Sequence, residues 1–440
     1  MMQLATSLRR RRGRDDMTEQ LSGLTLIKGH IIEAKTFGDP VITENGYLAI
    51  EDGVVKGVFS EIPAGFSDAK RIDYSGKLIL QGFSDMHLHA PQYPMLGMGM
   101  DLPLMDWLKA YTFKTEARFS DSGFAREVYS RLAAELVKNG TTRVCIYSST
   151  HTDATLILME ELEKAGVGGY VGKVNMDRAS GECQELTQES KRETLRWLDE
   201  SVRFSRIRPI LTPRFTPSCT NELMGWLGKV AAERGIFVQS HLSENKREIE
   251  LVHELHPDCE QYWQTYEKFG LWTDHTIMAH CVHSDAREQQ AMIDHNVLCV
   301  HCPDSNINIC SGFAPVRLMV ERGVWVALGS DIAGGAQLPM LQVLTGCLRM
   351  SKARAIETEG KEAFLTVGEA YYLATSAGSR YFGDADGFAA GNPLHAVVLD
   401  ETLLPPSARE LTVKERFERA VYLADDRSIA AVYGGGRKIK

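Results

Sequence analysis

Eight short apolar segments, each running into polar residues at its end, recur through the middle of the chain. They constrain the fold more than any other feature. They are SDMHLHA (84–90), TTRVCIYSST (141–150), GGYVGKVNM (168–176), IRPILTPRF (207–215), FVQSHLSE (237–244), TIMAHCVH (276–283), VLCVHCPDSN (297–306) and VWVALGSDIAG (324–334). Amphipathic helical stretches separate them, among them FAREVYSRLAAELVKNG and NELMGWLGKVAAERG, each stopping on a glycine. Near-continuous apolar strands alternating with helices predict a parallel sheet covered on its faces. Eight such units predict a closed (β/α)8 TIM-type barrel, an α/β fold. An open doubly wound sheet would call for a glycine-rich phosphate loop after an early strand, and none is present.

The two ends of the chain follow another rhythm. LTLIKGHII, GYLAIEDGVVKGVF and KLILQGF, between residues 24 and 83, are short, β-rich and broken by turns, with Glu51-Asp52-Gly53 as a hairpin turn. After a helical stretch at 366–382, HAVVLDE, RAVYLAD and IAAVYGGGRKI also read as β. Residues 21–80 and 386–440 are therefore expected to pack together as a small β-sandwich subdomain beside a barrel over 81–385. The opening MMQLATSLRRRRGRDD suggests an organellar transit peptide through its arginines, but Asp15 and Asp16 follow at once. Residues 1–20 are read as a disordered, solvated tail.

At 440 residues the chain exceeds an ordinary domain of about 100–200 residues, yet barrels run longer as single units. The net charge of −9 is a poor match for a polynucleotide, and no apolar run approaches the ~20 residues that span a bilayer. Nine scattered cysteines suit a reducing, cytoplasmic compartment. Cys299-Val300-His301-Cys302 has the C-x-x-C form without a second pair, so Cys299 is read as a buried strand residue.

Polar residues fall repeatedly at the ends of the predicted strands, where barrel enzymes place their active sites. His87 and His89 close the first strand and share a face, because side chains alternate along a strand. His241 lies on the fifth strand, His280 on the sixth and Asp331 on the eighth, which closes against the first. Imidazoles with a carboxylate suit zinc, or iron of similar geometry. Glu244, three residues past His241, is placed to move protons, although SENKREIE also reads as a helix start capped by Ser243. Arg214 and Phe215 end the fourth strand and offer donors beside a flat apolar face. That strand carries no lysine to bridge two metals, so one metal is expected. His30, His253, His256, His275, His295 and His395 are read as surface or subdomain residues, and His151, His283 and His301 as possible supports of the site.

The stretches GFSDMHLHAPQY, DLPLMDWLKAYTF, LTPRF, QSHLSEN, MAHC, HCPDSN and GSDIAGG together resemble the amidohydrolase superfamily and, within it, the narrower guanine deaminase family. The resemblance runs from about residue 24 to the C-terminus. It implies one Zn2+ per subunit, or Fe2+, held by His87, His89, His241 and Asp331, with His280 on the metal or its bound water. Glu244, Asp331 and His280 would be catalytic, and Gln92, Arg214, Phe215, His241, Glu244 and Asp331 would contact the substrate. A purine edge needs both a donor and an acceptor, which the Gln92 amide supplies. The implied reaction is hydrolysis of free guanine at C2, by hydroxide generated at the metal, to xanthine and ammonia in purine catabolism. A homodimer is also implied. The alternatives are a deaminase of another heterocycle (8-oxoguanine, a triazine or an adenosine derivative) and a barrel serving only as a scaffold. The H-x-E and P-C-x-x-C signature of deaminases acting on nucleic acid bases is absent. Two positions depart from the family pattern: GNPLHAVVLD has His395 where an aspartate is usual, and the arginine tail has no counterpart.

Overall fold

Alternation of apolar and polar residues draws the N-terminal segments into strands, and a computed structural model describes residues 19–440. The first strands are β1 (Glu19–Gln20), β2 (Leu24–Glu33), β3 (Val41–Glu51), β4 (Val54–Phe59) and β5 (Lys70–Gln81). The turn between β3 and β4 uses Asp52 (φ 50°) and Gly53 (φ 82°), the left-handed pair a tight hairpin requires. Next come β6 (Phe83–His89), β7 (Thr141–Tyr147), β8 (Gly168–Gly172), β9 (Val174–Asn175), β10 (Ile207–Pro209), β11 (Thr212–Pro213), β12 (Val238–Leu242), β13 (Thr276–His280), β14 (Leu298–His301) and β15 (Trp325–Leu328). The C-terminal strands are β16 (Ala396–Leu399), β17 (Ile429–Gly434) and β18 (Arg437–Lys438).

All eight expected inner segments form strands, the third and fourth each in two pieces. They build parallel sheets in the orders β10-β8-β7-β6, β11-β9 and β12-β13-β14-β15. Backbone hydrogen bonds join these sheets. Leu211 N donates to Phe237 O at 2.9 Å and Gln239 N to Leu211 O at 2.9 Å, which couples the fourth segment to β12. At the other side Asp331 N donates to His87 O at 2.8 Å and His89 N to Ile332 O at 3.3 Å. The end of the eighth segment therefore lies against the HxH strand.

Helices between the strands start and stop on local chemistry. Asp121 caps Ser122–Lys138 by accepting from Gly123 N and Phe124 N, and Thr220 caps Asn221–Arg234, which ends at Gly235 (φ 63°). Such a cap contributes about 1 kcal/mol. On Ser122–Lys138, Ala125, Val128, Tyr129, Leu132, Ala133 and Leu136 form one buried stripe against the main core, where each large aliphatic side chain contributes about 1.5–3 kcal/mol.

The chain ends meet in one eight-stranded sheet, order β1-β18-β17-β16-β5-β2-β3-β4, with its own core of residues such as Ile31, Ile50, Ile79, Val398 and Tyr433. Of the expected tail, residues 1–18 lie outside the described residues, while Glu19 and Gln20 pair with Lys438 and Arg437. One expected strand is a helix. RAVYLAD belongs to Val413–Leu423, whose capping box links Thr412 and Glu415 and whose buried residues Val413, Phe417, Ala420 and Val421 follow helical spacing. Its apolar run looked β-like because the capping box lies upstream of it.

Candidate active site

The strand-end residues converge on one cavity. Its polar lining is His89, Gln92, Arg214, His241, Glu244, His280 and Asp331, and its apolar walls are Leu104, Trp107, Leu108, Phe215 and Ile309. His87 lies just beneath, with Nε2 3.3 Å from Asp331 Oδ1, while His89 Nε2 is 3.5 Å from the same oxygen. His89 Nε2 and His241 Nε2 are 3.2 Å apart. His280 Nε2 faces Glu244 Oε2 at 3.6 Å and Asp331 Oδ2 at 3.8 Å. Every residue expected at the site from the sequence is thus in it or against it.

Backbone strain helps to aim these groups. Ser243 (φ 48°), His280 (φ 73°) and Asp331 (φ 45°) all adopt the left-handed region that favours glycine. Each such residue costs about 1–3 kcal/mol and persists only where its surroundings hold it. Glycine is needed at 329, because a Cβ there would sit 2.8 Å from His87 Cβ and 2.9 Å from His87 N.

Supporting contacts fix the rings. His241 Nδ1–H donates to Arg214 O at 2.6 Å, which leaves the Nε2 lone pair directed into the cluster. His280 Nδ1–H donates to Asn306 Oδ1 at 2.9 Å. Ser311 Oγ donates to Glu244 Oε1 at 3.0 Å, and His283 Nε2–H donates to Ser311 O at 2.9 Å. Asp85 accepts from Ser330 N at 2.9 Å and from its hydroxyl, tying β6 to the loop that carries Asp331. The helix after Glu244 is capped by Asn245 with Glu248, not by Ser243. Glu244 therefore lies outside the helix.

Burial sets the charge states. It lowers His87, and burial with the neighbouring imidazoles takes His89 and His241 well below the usual histidine range. Burial also raises Glu244 to about 7, suited to a group that moves protons near neutrality. Asp331 is buried too, yet the His87 contact and the charge of His280 hold it down to about 2. Burial opposes the charge on His280, but Glu244 and Asp331 outweigh it and hold that ring above its ordinary range.

The donor set fits a divalent cation. Both ring nitrogens of His87 and Nδ1 of His89 are buried without a hydrogen-bond partner. Ligand atoms of His87, His89 and His241 lie within 4.8 Å of one another, as do those of His87, His280, Cys302 and Asp331. Neutral imidazoles grouped with a carboxylate are what zinc or iron requires.

Some residues of the site were not expected. Glu116, 1% exposed, accepts from Arg214 Nη1 at 2.7 Å and from Gln92 Nε2 at 2.8 Å. Asn306 lies in HCPDSN, and Leu104, Trp107 and Leu108 lie in DLPLMDWL, so motifs marked them without assigning a role. Glu116 had no such signal. His256, expected at the surface, is buried.

Buried histidines and carboxylates at the C-terminal ends of parallel strands define a metal-dependent hydrolase site, and residues 78–439 match the profile of the Amidohydrolase family. The chain belongs to that family. Within it, the similarity runs to guanine deaminases. The chain is 36% identical to the guanine deaminase of Dictyostelium discoideum, covering 95% of this chain and 98% of that one. It is 37% identical to the Homo sapiens guanine deaminase, covering 82% and 83%. A crystal structure of the C. acetobutylicum guanine deaminase with guanine in its active site superposes with a TM-score of 0.92 at 40% identity, covering 95% of this chain and 100% of that one.

Proposed function

We propose that this chain hydrolyses guanine to xanthine and ammonia. The observation that carries the reading is the Gln92–Glu116–Arg214 network, which lies beside the histidine cluster in a cavity with flat apolar walls. Its support from relatives is the guanine-bound C. acetobutylicum enzyme. The fold is read as a closed (β/α)8 barrel over 81–385, supported by the hydrogen bonds that join its sheets, beside a chain-end subdomain over 21–80 and 386–440 built on one eight-stranded sheet rather than the two sheets of a sandwich.

His87, His89, His241 and Asp331, with His280 nearby, would hold one Zn2+. Such an ion supplies Lewis acidity that makes water a nucleophile near neutral pH. Asp331 accepts the proton of the water that adds to C2. Glu244 delivers a proton to N3, the ring nitrogen beside the attacked carbon. His280 orients the incoming oxygen. Glu244 then takes the C2 hydroxyl proton and passes it to the amine, the C2–N bond breaks as C2=O forms, ammonia leaves, and the proton on Asp331 returns to Glu244.

Specificity follows from donors. With C2 at the cluster, guanine presents O6 as an acceptor to a free N–H of Arg214. Adenine would present its amine there, and a buried donor facing a donor costs about 1–3 kcal/mol, roughly tenfold to hundredfold. Gln92 gives one N–H to Glu116 and accepts from Ala333 N at 3.3 Å, which leaves its second N–H for the base.

The reading also implies a homodimer in the cytoplasm, to be measured by light scattering and by localising the tagged protein. Among the described residues no helix is long and apolar enough to cross a membrane. The deciding experiment is ammonia release by the metal-loaded protein from guanine, guanosine, adenine, cytosine and 8-oxoguanine. Release from guanine alone, matched by xanthine, is expected. Release from another base instead would overturn the pocket assignment.

A further inference from the structure

A second cavity lies at the opposite ends of the same strands, where the inner sheets meet the chain-end sheet. It offers about 420 Å³ of space. Four guanidinium groups line it, Arg143, Arg206, Arg208 and Arg437, and Asp384 is its single lining carboxylate. Strand alternation explains part of this. Arg206 and Arg208 share one face of the β10 segment, while Ile207 between them is fully buried on the other.

The existing contacts leave the cluster short of negative charge, since beside Asp384 only Glu163, which accepts from Ser205 Oγ at 2.6 Å and Arg206 N at 3.0 Å, acts on Arg206 with the opposite sign. Arg143 pairs with Asp384 and donates to Ser379 Oγ at 2.6 Å. Arg206 donates to the carbonyls of Gly434 at 3.2 Å and Gly435 at 3.3 Å, and Arg437 Nε donates to Gln20 Oε1 at 2.8 Å. Carbonyls and an amide satisfy donors but cancel no charge. Arg208 makes no salt bridge among the described residues, and His395 Nδ1 is buried there without a partner. Burial and the charge of Arg437 press Arg206 down, and burial with Arg143 and Arg206 presses His395 well down. On a chain with net charge −9, this is a local concentration of the opposite sign.

We propose that this cavity binds a small phosphate-bearing anion. Guanidinium forks match phosphate oxygens in pairs of parallel hydrogen bonds. Space of this size accommodates a nucleotide-sized molecule. The site is separate from the histidine cluster and does not depend on which base is hydrolysed.

The test is calorimetric titration of the full-length, metal-loaded protein with inorganic phosphate and, separately, adenosine 5′-monophosphate at constant ionic strength. Saturable binding of at least one probe is expected. It should weaken at least tenfold in the Arg208→Glu/Arg437→Glu double variant, while turnover without added anion stays within twofold of the parent. Arg208→Gln, which removes one charge from an exposed side chain, should weaken binding severalfold and guards against misfolding of the double variant. Tighter binding of the nucleotide would extend the site beyond the phosphate, and equal binding would assign the phosphate alone. An adventitious association, or no saturable binding at all, with affinity the same in parent and both variants, would overturn the proposal.

Discussion

Arg214 and Glu116 form a buried ion pair at 2.7 Å, joining residues 98 positions apart in the chain at the wall of the active-site cavity. The Arg214 side chain is 4% exposed and that of Glu116 is 1% exposed. Arg214 also stands over the Phe113 ring, 5.5 Å from its centroid. A guanidinium buried to this degree can face a neutral base only because Glu116 balances its charge and holds its plane.

Breaking such a pair leaves an uncompensated buried charge and costs about 3–5 kcal/mol. Glu116→Ala is therefore expected to lower the unfolding free energy by about that amount and to raise KM for guanine. Glu116→Gln keeps the shape and should fall between parent and alanine variant. Denaturant unfolding together with steady-state kinetics checks both. Parent-like stability and KM in Glu116→Ala would remove Glu116 from the site.

Glu244 is the carboxyl assigned to carry protons, and its effect should appear in kcat. Glu244→Gln retains the contact with Ser311, whose hydroxyl can donate to an amide oxygen as to a carboxylate. We expect kcat to fall about 10²–10⁴-fold with KM changed little. A variant that kept kcat and lost only KM would make Glu244 a binding residue.

Metal removal should cost stability as well as activity, because the clustered imidazoles have few other partners. A ligand present at about a thousandfold its dissociation constant stabilises the folded state by about 4 kcal/mol. Chelator-treated protein should unfold at a lower temperature and recover on adding Zn2+. His241→Ala should hold less metal by elemental analysis. Equal metal content in that variant would exclude His241 as a ligand.

Gly329 is packed against His87 with no room for a side chain. Gly329→Ala must push back the backbone of β6 or of the segment that carries Asp331. Such overpacking costs about 1–3 kcal/mol. Metal content and kcat should fall together, since His87 and Asp331 both move. Unchanged values for both would show that the strand gives way freely.

Stability should also fall with rising pH through Glu288. Burial raises this carboxyl to about 7 from 4.5, although Ser284 donates to it at 2.5 Å. The folded state therefore keeps the proton that the unfolded chain releases above 4.5. Glu288 stabilises the fold least at pH above 7, and its cost builds up between pH 4.5 and 7 to about 3 kcal/mol. Glu288→Gln should gain stability over the parent at pH 8 and gain little at pH 5. An equal difference at both pH values would mean that Glu288 does not titrate in this range.

The sequence by itself determined most of the elements and the candidate groups of the site. Strand alternation placed His87 and His89 on one face, and apolar runs ending in His241, His280 and Asp331 marked strand ends, because these are local periodicities of two and of strand length. Tertiary structure decided what those groups touch. Glu116 sits on the short helix Phe113–Ala117, just past the DLPLMDWLKAYTF stretch but in no motif that assigns it a role, and only packing brings it to Gln92 and Arg214. The left-handed backbone at His280 and Asp331 is likewise invisible in a sequence, since Asp and His enter it more readily than most residues but only the surrounding contacts enforce it here. The arginine cavity gathers Arg143, Arg206, Arg208 and Arg437 from three strands and the loop leading into one of them, including the last strand of the chain. Residues hundreds of positions apart become neighbours through burial of apolar surface, which is non-directional and sums over the whole chain, so no local window carries the information.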